Sequence, residues 1–322
     1  MTTTATAPKS APPVKKLTKA QKTLKKMKRY WPIYLMMLPG IVYLFINNYM
    51  PLPGLIVAFK NYNARQGIYG SPWAGWDNFK YLFKNDAWLI TRNTVLYNVA
   101  FIIVNTTLAI FVAIILSELV GRRKKIYQSA ILLPNLISTV IVGYLVFAFF
   151  SAENGFVNNT ILPLFGIEPV SWYSEAKHWP YIIVFVNAWR VIGYNCIVYL
   201  STIMGIDKSI YESARMDGAT KWQQIRKITI PLLKPTIIML TLMAIGRIFY
   251  SDFGLFYQVP MNQGALYSTT NTIDTYVYRG LLQLGNISMS AASGLYQSVV
   301  GFILVLSANL IVRKVDPESA LI

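Results

Sequence analysis

Apolar residues along the chain fall into six long blocks separated by polar, turn-rich stretches. The blocks run from Trp31 to about Tyr49, Val95 to Leu116, Ile126 to Phe150, Tyr181 to Ile203, Pro235 to Gln258 and about Met289 to Val312. Each approaches the roughly twenty residues that a helix needs to cross a hydrocarbon layer about 30 Å thick. Helix is the predicted element in all six, because an open strand edge cannot be satisfied in lipid. The expected fold class is therefore an all-α membrane protein with six transmembrane helices. The expected organisation is a basic tail over 1–30, a first transmembrane helix over 31–59, a segment at 60–90, a five-helix core over 91–314 containing a polar loop at 207–234, and a short tail over 315–322.

The polar stretches carry the charge unevenly, and this orients the chain. Six crossings put both termini on one side. The tail, the loop Arg122–Lys125, the loop between blocks four and five, and Arg313 with Lys314 hold 21 of the 30 Lys and Arg residues. The opposite loops hold 7, and Arg190 and Arg247 lie within blocks. The positive-inside rule places the basic side, with both termini, in the cytoplasm. The tail to Arg29 reads as a disordered start leading into a short basic helix at the membrane surface. No small-residue cleavage pattern follows the first block, so that block is expected to be an uncleaved span.

Composition supports the membrane assignment. Charged residues make up 13% of the 322 residues and hydrophobic ones 54%, against about 25% charged in a soluble domain. The net charge of +17 would suggest nucleic acid on a soluble protein. Here the basic residues cluster in a few loops, which fits orientation and contact with anionic lipid headgroups, not nucleic acid binding. The single cysteine, Cys196, permits no intrachain disulfide, and the single histidine, His178, belongs to no set of metal-ligand spacing.

The outer segments are long and aromatic. Trp73, Trp76, Phe79 and Trp88 lie between Asn61 and Trp88. They suit interfacial anchors first, and a docking surface for an extracytoplasmic partner second.

The loop between blocks four and five is the most informative stretch. Ile210, Tyr211, Ala214 and Gly218 recur at helical spacing. Glu212 and Arg215 are three apart and able to pair. Gly218 suits a left-handed helix stop. Thr220 and Gln223 have the form of a capping box opening a second helix, with Trp222 and Ile225 on its apolar side and Pro231 ending it. The prediction is an amphipathic helical hairpin whose small residues allow close approach by another backbone.

Glu212-Ser213-Ala214, then Gly218, then Ile228-x-Ile230-Pro231 resembles the EAA loop of ABC import permeases, with Ser213 in place of Ala and Ile230 in place of Leu. Gly75-Trp-Asp-Asn-Phe-Lys-Tyr-Leu-Phe83 is similar to the segment that follows the first span in sugar permeases of the maltose type, in the branch that takes up oligosaccharides or polysaccharide fragments. The resemblance covers about Trp31 to Lys314. It implies a type I ABC importer permease fold, a second permease subunit (a paralogue forming a heterodimer), two ATPase subunits that bind ATP and Mg, and an extracytoplasmic solute-binding protein. It implies that Tyr211, Glu212, Ser213, Ala214, Gly218, Ile228 and Pro231 dock on the ATPase. No Gly-x-x-x-x-Gly-Lys-Ser/Thr occurs, so the chain has no P-loop of its own and is not expected to be an enzyme.

Charges within spans are functional candidates by default. Arg190, Arg247 and Asp252, with Asn187, Trp189, Tyr194, Asn195 and Tyr250, would suit a carbohydrate path. The aromatic faces would stack on sugar rings, and the amides and charges would reach hydroxyls. Two arginines would also suit an acidic sugar such as a uronate. Interhelical pairing that merely holds spans together remains an equal reading. An ion-coupled secondary transporter is the main alternative function, although a proton relay is hard to assemble from Asp252 alone. A channel or scaffold comes behind it.

Overall fold

The computed structural model describes residues 19–315. Of the tails expected over 1–30 and 315–322, residues 1–18 and 316–322 lie outside the described residues. Among the described residues every regular element is helical, apart from one isolated antiparallel bridge between Lys60 and Trp73. Five stretches of the described residues are long and apolar enough to cross a membrane: Lys28–Phe59, Ala87–Glu118, Ala176–Met204, Lys221–Ile245 and Ile287–Leu310. The bent pair Arg122–Leu136 and Thr139–Phe150 makes a sixth if the two count as one broken span.

The chain divides into two compact units, residues 1–55 and 56–322. The first contains helix α1 (Lys19–Leu44), with Pro32 and Pro39 inside it, and a wide π-turn at Phe45–Tyr49. The expected basic helix is the start of α1. A 3-10 helix, Leu52–Phe59, follows Pro51, so the stretch 31–59 is built from three pieces, not one α-helix.

The second unit holds α2 (Asp77–Asn85), α3 (Ala87–Glu118), α4 (Arg122–Leu136), α5 (Thr139–Phe150), α6 (Trp179–Met204), α7 (Lys208–Met216), α8 (Lys221–Gln224), α9 (Ile230–Ile245), α10 (Phe253–Gln258), α11 (Ile273–Leu282) and α12 (Ile287–Val315). Helix α3 packs along α6, α4 crosses α6, and α11 lies on α12. The α4–α6 approach is close because position 193 is glycine: a Cβ there would sit 2.1 Å from Ile131 O. Small residues at crossings are the usual means of bringing helices together in lipid.

Three further expectations are corrected. The third block is not one straight helix, since α4 and α5 meet at 95°. Pro134, in the last turn of α4, has no N–H and crowds the preceding turn. Ile137 and Ser138 are extended, and Ser138 O then accepts from Val142 N at 3.0 Å to start α5.

The fifth block does not run unbroken from Pro235 to Gln258. Its helix begins earlier, at Lys221, and ends at Ile245. Arg247 and Asp252 therefore sit in a non-helical break between α9 and α10, not on a helix.

Nor does Pro231 end the second helix of the loop. A π-turn over Ile225–Thr229 joins α8 to α9, and Pro231 falls in the first turn after it, where its missing N–H is tolerated.

Buried side chains form clusters that tie the elements together. Tyr97, Phe101, Val142, Trp179, Ile183 and Phe256 join α3, α5, α6 and α10. Ala109, Ala113, Cys196, Tyr199, Leu200 and Leu233 join α3, α6 and α9. Leu82, Ile90, Phe249, Ile273, Tyr276 and Met289 join α2, α3, the break, α11 and α12. Many side chains pointing away from these clusters are large and apolar, Leu96, Ile103 and Phe111 of α3 each being 60% exposed. Lipid or other spans would cover such a surface.

In the segment after the 3-10 helix, Asn78 donates Nδ2 to Ala58 O at 2.9 Å and to Lys60 O at 3.0 Å. Phe79 is buried, whereas Trp73, Trp76 and Trp88 are exposed.

Candidate functional site: the α7–α8 hairpin and the break after α9

The hairpin is built by local chemistry. Asp207 caps α7, its Oδ1 accepting from Ser209 N at 2.9 Å, and this hydrogen bond holds its carboxyl below the ordinary range. The α7 helix stops at Gly218, whose φ is +79°, a left-handed value that costs glycine least. Ala219 N donates back to Ala214 O at 2.9 Å. The capping box forms as expected: Gln223 N donates to Thr220 Oγ1 at 3.3 Å, and Thr220 N donates to Gln223 Oε1 at 2.8 Å. Gln224, buried, donates Nε2 to Ala219 O at 3.0 Å and closes the bend.

Two concavities flank the hairpin and divide the residues of the loop motif. Ala214, Gly218 and Ile228 line one of about 390 Å³ together with Gln223 and Lys227. Tyr211 and Glu212 line another of about 440 Å³ with Glu118, Arg215 and Lys221. The Tyr211 and Thr229 hydroxyls are 2.9 Å apart. Ser213 and Pro231 are exposed. Nothing lies within 4 Å of a Cβ built on Gly218, so the bend presents bare backbone to the space outside the chain. Among the described residues no ion pair joins Glu212 to Arg215; Lys221 instead pairs with Glu118. Trp222, expected on an apolar side, is 67% exposed.

The span charges separate into two groups. Arg190 Nη1 of α6 is 3.4 Å from Asp252 Oδ2, with the Arg190 side chain 13% exposed. Asp252 also caps α10, its Oδ1 accepting from Leu255 N at 3.0 Å. Arg247 and Asn195 line a cavity of about 260 Å³ with Asn98, Asn105, Thr106 and Tyr199. No hydrogen bond or ion pair holds the Arg247 guanidinium among the described residues. Asn187 is buried and accepts from Asn105 Nδ2 at 2.8 Å. Trp189, Tyr194 and Tyr250 are exposed at 39%, 61% and 43%. The structure thus brings Asn195 to Arg247 and Arg190 to Asp252. Asn98 and Asn105 are cavity residues that sequence reasoning missed. They are polar positions seven apart in the second apolar block, on one helical face, and that spacing is a readable signal.

Residues 87–317 match the model of the family described as the binding-protein-dependent transport system inner membrane component. The chain is 34% identical to Protein LplB of Bacillus subtilis (strain 168) over 91% of its own length and 92% of that protein's. It is 32% identical to the polygalacturonan/rhamnogalacturonan transport system permease protein YteP of the same organism, covering 93% of each. Among solved structures, it is similar to a chain of a bacterial ABC transporter involved in the import of the acidic polysaccharide alginate, with a TM-score of 0.82, 34% identity, and coverage of 92% of this chain and 99% of that one. That likeness shows the type I ABC importer permease fold. The family match over most of the chain, together with relatives this similar along nearly their full length, shows that the chain belongs to the binding-protein-dependent transport system inner membrane components.

Proposed function

We propose that this chain is the permease subunit of an ATP-driven importer of oligosaccharides or polysaccharide fragments, worked through the α7–α8 hairpin by a separate ATPase that binds ATP and Mg. The observation that carries this reading is the bend at Gly218. Its positive φ and the open space at its Cβ leave a strip of backbone, flanked by Glu212 and Ala214, ready for a groove on another protein. The complex would comprise a second, paralogous permease, two ATPase subunits and a solute-binding protein on the far side. Membrane lipid would surround it, and both termini would be cytoplasmic. Closure of the ATPase dimer would move the hairpin and, through rigid helices, switch the spans between inward and outward openings.

The test is ATP-driven uptake by the complex in vesicles. Gly218→Trp and Glu212→Lys should abolish uptake while the complex remains assembled in the membrane. Full uptake by Gly218→Trp, or uptake driven by an ion gradient without ATP, rejects the reading and favours a secondary transporter.

A narrower reading follows from the two arginines. Arg190 has a carboxylate partner in Asp252, and among the described residues Arg247 has none. Arg247, beside Asn98, Asn105 and Asn195, is the group suited to receive the carboxylate of an acidic sugar. The names of the relatives, a polygalacturonan/rhamnogalacturonan permease and an alginate importer, support an acidic substrate class.

A further inference from the structure

A helix that stops inside a span leaves amide and carbonyl groups that lipid cannot satisfy. The break between α9 and α10 is such a place, and side chains from three other elements fill it. Gln297 of α12 donates Nε2 to Phe249 O at 3.0 Å. Asn98 of α3 donates Nδ2 to Tyr250 O at 3.0 Å. The Ser251 amide donates to Asp274 Oδ2 of α11 at 2.7 Å.

Asp274 is the centre of this arrangement. The same oxygen is 2.7 Å from Ser251 Oγ, and both carboxylate oxygens are 3.2 Å from Gln297 Nε2. Thr272 Oγ1 lies 2.8 Å from Ser251 Oγ. Thr272, Phe249 and Gln297 are buried, at 0%, 1% and 6% exposure. The carboxylate sits in the first turn of α11, where free amides favour a negative charge. No Lys or Arg pairs with it among the described residues. After Gly246 the backbone makes turn bonds, Arg247 N to Ala244 O and Ile248 N to Ile245 O at 3.0 Å and Tyr250 N to Arg247 O at 2.9 Å. The side-chain bonds at 249–251, strengthened by an ionised acceptor, fix how these turns sit against α3, α11 and α12.

We propose that Asp274 and Gln297 are positioning residues for the translocation path. They hold the break in the shape that presents Arg247, Tyr250 and Asp252, and they tie that shape to α11. They act through Ser251 and Phe249. The inference rests on the reading of the break as part of the substrate path.

The test uses the assembled complex in membrane vesicles. Cys196 is fully buried, so Tyr250→Cys supplies a reporter for a water-soluble maleimide. Asp274→Ala and Gln297→Met should each change the labelling rate at position 250 by at least threefold. A Met216→Cys reporter on the exposed end of α7 should be unaffected. Asp274→Asn, which keeps an acceptor for Ser251 N but loses the charge, should change the rate less than Asp274→Ala, and Gln297→Met carries the test if Asp274→Ala fails to assemble. With Tyr250 restored, the two disruptive variants should raise the KM for uptake of a labelled oligogalacturonide at least threefold while ATP hydrolysis by the complex stays coupled. Unchanged labelling in both variants overturns the inference and leaves the importer reading standing. Changed labelling with an unchanged concentration dependence of uptake removes the break from the substrate path, and the inference falls with that reading. Failure of Gly218→Trp to stop uptake would instead reject the importer reading itself.

Discussion

Lys221 Nζ lies 2.6 Å from Glu118 Oε2, although the two residues are 103 positions apart in the chain. Glu118 ends α3 and Lys221 opens α8, so this pair ties the hairpin to the span that lines the Arg247 cavity. It is a candidate route by which movement of the hairpin reaches the spans. Both side chains are 54% exposed, so the pair is expected to contribute only about 0.2–1 kcal/mol and to weaken in salt. Glu118→Lys should therefore reduce uptake by no more than about fivefold at low salt, the rate equivalent of that energy. The double exchange Glu118→Lys with Lys221→Glu should restore it. Uptake in vesicles at two ionic strengths checks both statements. A double exchange no better than the single one would show that the pair transmits nothing.

The arginines should behave differently from one another. Arg247→Gln should lower uptake of oligogalacturonide about tenfold or more and leave uptake of a neutral oligosaccharide such as maltotriose nearly unchanged, since losing a charge-assisted hydrogen bond costs about 1.5–3 kcal/mol. Arg190→Gln should affect acidic and neutral probes alike, because it removes the partner of Asp252 and loosens the start of α10. Competition uptake with the two probes decides the matter. Equal loss of both in Arg247→Gln removes the acidic-sugar reading.

The α4–α6 crossing should be intolerant of even one methyl group. A Cβ at position 193 would meet the Ile131 carbonyl at 2.1 Å, and backbone cannot swing aside as a side chain can. Gly193→Ala should cost about 1–3 kcal/mol, the usual range for overpacking. Gly294→Ala, in α12 with nothing within 4 Å, should be neutral or stabilising by up to about 1 kcal/mol. Thermal unfolding of the detergent-purified complex compares the two.

Protonation should fray the hairpin at its first turn. The Asp207 carboxyl is held below its ordinary range by the Ser209 amide. The capping contribution is thus complete above the unfolded-state carboxylate range and is lost as pH falls through the lower folded value. Amide exchange at Ser209, corrected for intrinsic pH dependence, should lose protection only at acid pH in the parent. It should be unprotected throughout in Asp207→Ala and protected throughout in Asp207→Asn, which caps without titrating. Protection in the parent that does not change on acidification would show that the charge is irrelevant to the cap.

Much of the hairpin was legible in the residues. The Gly218 stop, the Thr220–Gln223 box and the two short helices are interactions between neighbours three to five positions apart, and such geometry does not wait for the rest of the fold. The ends of the spans were legible less well. Pro134 and Pro231 look alike as helix breakers. Pro134 lies at a 95° corner, whereas a π-turn next to Pro231 absorbs its missing donor and lets the helix continue. Which of these happens depends on whether neighbouring segments can take up the freed groups.

By itself, then, the sequence determined a helical membrane protein, the stretches apolar enough to cross, the loops in which the basic residues cluster, and the hairpin with its glycine bend. Runs of apolar residues, charge asymmetry and capping pairs are local quantities, and each follows from residues close together in the chain. Only the tertiary structure decided that Arg190 belongs to Asp252, that Arg247 lines a cavity with three asparagines and has no ion-pair partner among the described residues, and that Asp274 and Gln297 bond the α9–α10 break. Those relations join residues from separate spans, and in lipid their partners are chosen by which backbone and side-chain groups would otherwise be left without a hydrogen bond.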